Sequence, residues 1–308
     1  MSAITVTSRI CLAVALALPW LVAAAGASPD GVVAADVAQD RAGNRLEPLI
    51  ERLEPAAAAT GPTADGTERD ASPRYCTADG QWCLRTTRGA DDGEATLEVE
   101  QQVRGEAQPR SRFIALADAD GAMVRPWPFI IRMASGIGAP KPPRDPDQAA
   151  LQNVLVGAIV SQQTGYSGGG ASASTLTLSR IYHQDDGIQI DPVLSVAADG
   201  HSMIRACFGE QDMQQRAGAC HDEYNYSVVL GLDQDGQGMP VLRYRSTATR
   251  FPAGVSRQGD SLAMGPLKKK DLVTETDEAC SFQRVLRFVD GAYQADQAWP
   301  DCSDYTEL

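Results

Sequence analysis

Cys220-His221-Asp222-Glu223-Tyr224-Asn225-Tyr226 is the densest run of functional groups in the chain. On an extended strand His221, Glu223 and Asn225 share one face, with successive same-face residues ~6.6 to 7 Å apart, while Asp222, Tyr224 and Tyr226 share the other. An imidazole and a carboxylate at that spacing can serve as an acid and a base, or as two ligands of a cation. The competing reading is a solvated strand face beside a disulfide. Zinc needs two further ligands, and with the cysteines paired only His183 and His201 remain as imidazole donors.

Gly165-Tyr166-Ser167-Gly168-Gly169 fits the Gly-x-Ser-x-Gly pattern of nucleophilic serines. A nucleophile elbow needs a helix after the serine, whereas Gly170-Ala171-Ser172-Ala173-Ser174 leads into the strand-like Thr175-Leu176-Thr177-Leu178. Tyr166 replaces the aspartate of the superficially similar trypsin-like motif, and His183, His201 and His221 all follow Ser167, the reverse of that family's order. A Gly-Ser hairpin tip is the better reading. Asp233-Gln234-Asp235-Gly236-Gln237-Gly238 opens like a calcium loop, in which Asp233, Asp235 and Gln237 are candidate ligands. Its twelfth position is Tyr244, where a bidentate glutamate belongs, and Pro240 interrupts it. A plain hairpin turn also explains it, as it does the shorter echo Asp118-Ala119-Asp120-Gly121.

The elements that must position these groups read as strands. Thr96 to Val103 alternates at period two, and runs at Arg112 to Leu116, Phe129 to Met133, Thr175 to Tyr182, Met203 to Phe208, Tyr224 to Leu232, Val241 to Arg245 and Phe282 to Val289 keep up a strand-and-turn rhythm. Long helices and repeats of propeller length are absent from this pattern. It predicts an all-β fold, an antiparallel sandwich or irregular barrel with disulfide-stapled hairpins, preceded by a flexible N-terminal tether. Residues 28–73 form that low-complexity tether, with one short amphipathic helix expected where Leu46, Leu49, Ile50 and Leu53 recur at helical spacing. The β domain spans residues 74–308. The Pro-rich stretch from Pro140 to Pro146 leaves subdomains 74–139 and 147–308 as the alternative.

Seven cysteines set the compartment. Residues 1–27 read as a signal peptide, with Arg9 before an apolar run and small residues at Ala23 to Ala27, and cleavage there removes Cys11. A retained membrane anchor is the rival, although Pro19 interrupts the run. The remaining cysteines fall into three local pairs, Cys76 with Cys83, Cys207 with Cys220, and Cys280 with Cys302, the layout of an exported protein. A hairpin turning at Asp79-Gly80 places Cys76 opposite Cys83, at ~5.5 Å between Cα atoms if that pair is hydrogen-bonded. One turning at Asp290-Gly291 leaves Cys280 one residue from Cys302, a gap that a bulge closes. Redox catalysis is not expected, because no Cys-x-x-Cys spacing occurs.

A net charge of −13 disfavours nucleic-acid and anionic-membrane partners, and Lys268-Lys269-Lys270 is too short to offset it. Membrane insertion is not expected after signal cleavage. Aromatics are only 6% of the chain, so Trp82, Trp127 and Trp299 read as core residues rather than as a sugar-stacking platform. Three functions stay open. The leading one is an exported, periplasmic or extracellular, non-enzymatic protein that binds an envelope component or a partner protein through polar loops at Gln162 to Ser174 and Gly209 to Ala219. The second is an envelope hydrolase using His221 and Glu223, with or without Ser167. The third is a structural module in which calcium is the only cofactor. Ligand and oligomeric state are left open.

Overall fold

The computed structural model describes residues 33–34, 38–52, 73–88, 95–102, 105–116, 122–134, 154–184, 187–236 and 238–308. The expected leader, most of the expected tether, the Pro-rich stretch, Asp118 to Gly121 and Gln237 lie outside these residues. Short strands come first: β1 (Val33–Ala34), β2 (Arg45–Pro48), β3 (Ile50–Arg52), β4 (Arg74–Cys76), β5 (Trp82–Arg88), β6 (Ala95–Gln101), β7 (Arg110–Ala115), β8 (Met123–Pro126) and β9 (Phe129–Arg132). Three long strands follow, β10 (Val154–Tyr166), β11 (Gly169–Gln184) and β12 (Gly187–Arg205). Helix α1 (Glu210–Gln215), β13 (His221–Leu232), β14 (Leu242–Phe251), β15 (Glu275–Thr276), β16 (Gln283–Val289), β17 (Ala292–Ala295) and helix α2 (Ser303–Thr306) complete the order.

These strands build two sheets. The larger runs β17-β16-β14-β13-β12-β11-β10-β9-β2, with β1, β8 and β15 attached at its sides, and the smaller runs β3-β4-β5-β6-β7. Their pairings are antiparallel apart from the short parallel contact of β1 with β13. The larger sheet curls. Its β2 end returns to the β13–β14 turn, where Arg41 N donates to Gln234 O at 3.2 Å and Asn44 Nδ2 to Gly238 O at 3.0 Å. Its other end is tied back by Arg180 of β11, whose guanidinium lies 4.5 Å from the Tyr182 ring and 5.6 Å from the Phe288 ring of β16.

Strand β10 shows why the two sheets stack. Val154, Val156 and Ala158 point into the core shared with the smaller sheet, beside Trp82, Leu84, Leu97 and Val99, whereas Leu155 and Ile159 point into the other core. A strand apolar on both faces must be covered on both. The smaller sheet is clamped over it by Arg132 of β9, which donates from Nη2 to both Asp79 carboxylate oxygens at 2.8 Å and from Nη1 to Gln81 Oε1 at 2.8 Å. Its Nε also lies 2.9 Å from Glu47 Oε2.

Four expectations need correction. The segment around Leu46 is not a helix: β2 pairs with β9, β3 pairs with β4, and the chain crosses between sheets at Leu49. Leu46 therefore enters one core and Leu49 the other, so their spacing of three reflects a sheet-to-sheet step rather than a helical face. Gln162 to Ser174 is not a loop but a long hairpin, in which β10 pairs with β11 up to Tyr166 and Gly169. Gly209 to Ala219 is no open loop either, since it holds α1 and the buried Arg216, whose guanidinium pairs with Asp222 and donates from Nε to Ala219 O at 2.8 Å. Trp82 and Trp127 are core residues, but Trp299 is 44% exposed.

All three predicted disulfides form. Cys76 lies directly opposite Cys83, yet at 4.0 Å between Cα atoms rather than ~5.5 Å. The hydrogen-bonded pair is the next one, where Thr77 N donates to Trp82 O at 2.9 Å, and residues 78–81 make the turn. The cystines fit an oxidising, non-cytoplasmic compartment. Among the described residues, no helix is long and apolar enough to cross a membrane.

Candidate functional site

Register divides the candidate residues between two faces of the larger sheet, because directly opposed residues share a face. His201 lies opposite Asn225 and Ser172, Met203 opposite Glu223, and Arg205 opposite His221. His221, Glu223 and Asn225 thus share a strand face, as expected, and His201 Nδ1 is 2.8 Å from Asn225 Oδ1. This face is polar and shallow: His201, Asn225, Ser227 and Thr247 are all exposed. Asp222, Tyr224 and Tyr226 point the other way and are buried.

Ser167 sits in the exposed two-residue turn between β10 and β11, with no helix after it. His201 opposes Ser172, five residues further along the strand, or ~17 Å from Ser167. His221 is two strand spacings away, ~10 Å. Neither imidazole is within hydrogen-bonding reach of the hydroxyl. His183 ends β11, and its side chain lies outside the described residues.

The calcium-loop carboxylates are engaged elsewhere. Asp233 Oδ2 pairs with Arg243 at 2.7 Å, its Oδ1 accepts from Asp235 N at 3.0 Å, and Asp235 pairs with Arg41 at 2.7 Å. The hydrogen bond from Asp235 N and the Arg243 charge hold the Asp233 carboxyl below its usual value despite burial. Gly236 packs so closely on Asp40 that an added Cβ would lie 2.2 Å from its Oδ2. Among the described residues, no group of three or more His, Cys, Asp or Glu side chains is arranged to hold a metal ion.

A concave site lies on the opposite face. Ala173, Thr175 and Thr177 alternate with Ser172, Ser174, Leu176 and Leu178 along β11, and they floor a cleft of about 600 Å³ with Val160 and Gln162 of β10. Ser195 reaches the same floor because of a register shift in β12. Ser174 opposes Asp199, whereas Thr175 opposes Ala197, so the extra β12 residue moves alternate side chains to the other side. One wall is the end of the smaller sheet, at Ala115 and Leu116, and the other is Thr306, Glu307 and Leu308.

That second wall is held firmly. The Cys280–Cys302 bridge anchors the start of α2, Tyr305 is buried beside Tyr224, and Arg257 Nη1 donates to Glu307 O at 2.7 Å. Gly200 permits the approach, since a Cβ there would lie 1.9 Å from Tyr305 O. A smaller aromatic hollow of about 230 Å³ adjoins the cleft, sharing Ser195 and Thr306 with it and lined by Tyr226, Tyr244, Phe282 and Trp299. Its two phenols are linked at 2.8 Å, and Tyr244 donates to Ala197 O at 3.0 Å. Burial raises both their pKa values, so they stay neutral.

Neither hollow is lined by His221, Glu223, Ser167, Asp233 or Asp235. Gln162 and Ala173 fall inside the stretch Gln162 to Ser174 expected to carry binding, whereas Thr175, Thr177 and Ser195 stand out by no motif, because hydroxyls and small apolar side chains form none. One signal was present. Thr175-Leu176-Thr177-Leu178 gives β11 one apolar and one hydroxyl face, next to a β10 that is apolar on both. The chain matches no family model, no curated protein and no solved structure.

Proposed function

We propose that this is an exported, periplasmic or extracellular, disulfide-stabilised binding protein, whose ligand is an envelope component or a partner protein held in the cleft between the two sheets. The observation that carries the reading is the cleft itself: about 600 Å³, within the ~300–1,000 Å³ range of ligand pockets, between two anchored walls. Its floor offers the hydroxyls of Thr175, Thr177 and Ser195 beside the apolar Val160 and Ala173, and among the described residues Glu307 is the only charged side chain in its lining. Such a surface suits a largely neutral ligand that presents both apolar groups and hydrogen-bonding groups. The acidic surface disfavours nucleic acid as that ligand.

Melting scans of the mature protein against soluble envelope glycans and short capped peptides test this. A ligand that binds the folded state raises the melting temperature. Thr175→Trp, which fills the floor, should abolish the rise. A rise of equal size in Thr175→Trp would place binding elsewhere and overturn the proposal.

A further inference from the structure

The cleft lies where the smaller sheet stops. Its strands cover Val154, Val156 and Ala158 of β10, and the next residues on the same face, Val160 and Gln162, belong to the cleft floor. β7 is the terminal strand of that sheet. Leu116 N donates to Ala95 O of β6, so alternation along an antiparallel strand turns the N–H and C=O groups of Ser111, Phe113 and Ala115 away from β6. Ser111 O accepts from Arg112 Nη1 at 2.7 Å, which, among the described residues, leaves the main-chain groups of Phe113 and Ala115 as the free edge. Ala115 is also a cleft wall, and Phe113 is 62% exposed.

We infer that the cleft takes an extended peptide, which adds to β7 as a further strand of the smaller sheet. This rests on the cleft being the binding site and names the class of ligand. An unpaired edge supplies main-chain affinity, and the surface beneath it selects alternate side chains. Here that surface is Val160, Ala173, Thr175 and Thr177, which suits small or β-branched uncharged residues, and Glu307 at the far wall favours a cationic end. The volume admits a short single strand, too little for the sheet edge of a second copy of the chain. A peptide also fits the aromatic hollow beyond Ser195, which can receive one larger side chain.

The test uses fluorescein-labelled capped heptapeptides with lysine at both ends and Ala, Ser, Thr or Val at the inner positions. Binding is read by fluorescence polarisation against wild type, Ala115→Pro and Thr175→Trp. Proline at an outward-facing N–H of an edge strand removes only the free donor, so Ala115→Pro should keep the wild-type melting temperature and lose binding about tenfold or more. Methylating the peptide nitrogens that face β7 should cause a similar loss without touching the protein, which keeps the test valid if Ala115→Pro misfolds. Peptide binding that survives both changes but is lost in Thr175→Trp overturns strand addition and leaves the cleft as the site. No peptide binding, alongside a glycan-induced melting shift lost in Thr175→Trp, also overturns it while sparing the cleft. Binding unaffected by any change sinks both readings, and a concentration-dependent dimer lost in Ala115→Pro would assign the edge to a second copy instead.

Discussion

The two faces of the β10–β11–β12–β13 ribbon differ in the property that matters for binding. One carries the run densest in functional groups, His221, Glu223 and Asn225, together with His201, and it is an open sheet surface. The other carries Ala173, Thr175, Thr177 and Ser195, none of them titratable, and it is the floor of a walled cleft. Functional-group density along a strand and concavity in space are set by different things. Density is local to the strand, whereas the cleft exists because one sheet stops at β7, a register shift turns β12, and a cystine holds α2 at the right distance.

The strongest perturbations should separate the scaffold behind each face. Arg216 and Asp222 form a buried ion pair beneath the His221 strand, and removing one partner strands a charge. Arg216→Ala should destabilise the fold by about 3–5 kcal/mol in urea denaturation, while Arg216→Ala with Asp222→Ala should recover part of that loss. A single substitution costing under about 1 kcal/mol would show that the pair is not what holds α1 against β13.

Next comes the cystine at the cleft. Cys280→Ser with Cys302→Ser should cost about 3 kcal/mol, and it should weaken ligand binding as well, because α2 is the far wall. Removing Cys207 and Cys220 together should lower the melting temperature without changing affinity at saturating fold. Equal effects on affinity would break the contrast between the two regions.

A smaller effect concerns pH. Burial pushes the Asp79 carboxyl up, but the Thr77 hydroxyl, the Gln81 N–H and the Arg132 guanidinium outweigh it and leave its pKa below the usual value. A carboxyl depressed in the folded state adds stability above its unfolded pKa, and that stability is lost as pH falls through the folded one. Acidification from about pH 4 downward should therefore loosen the clamp between the sheets. Asp79→Asn should flatten that limb of the melting profile, and an unchanged limb would assign acid sensitivity elsewhere. The smallest effects belong to the open face, where His221→Ala and Glu223→Ala should each move stability by no more than about 0.5 kcal/mol and leave binding intact. Loss of binding in either would return the site to that face.

Much of the fold was legible locally. The alternation of β13 and β14, the three cysteine pairs and the Asp290-Gly291 hairpin follow from period-two patterning and turn chemistry, which depend on neighbours in sequence. What was hidden depends on distant residues. Leu46 and Leu49 mimic a helical face because each answers to a different core. The polar half of β10 reads as a loop because its pairing partner, β11, is as rich in Gly, Ala and Ser as a linker. Trp299 looks like core by type, yet it lies at the rim of a hollow closed only by the C-terminal segment. The cleft is hidden for the same reason, since its floor, walls and free edge come from five separate stretches of chain.

Hydrogen–deuterium exchange with and without the glycan or peptide that most raises the melting temperature tests the central claim most directly. The account predicts new protection at residues 111–116, 160–163, 173–177 and 304–308, and none at 221–227. Protection confined to residues 199–205 and 221–227 would contradict it and make the open face the binding surface.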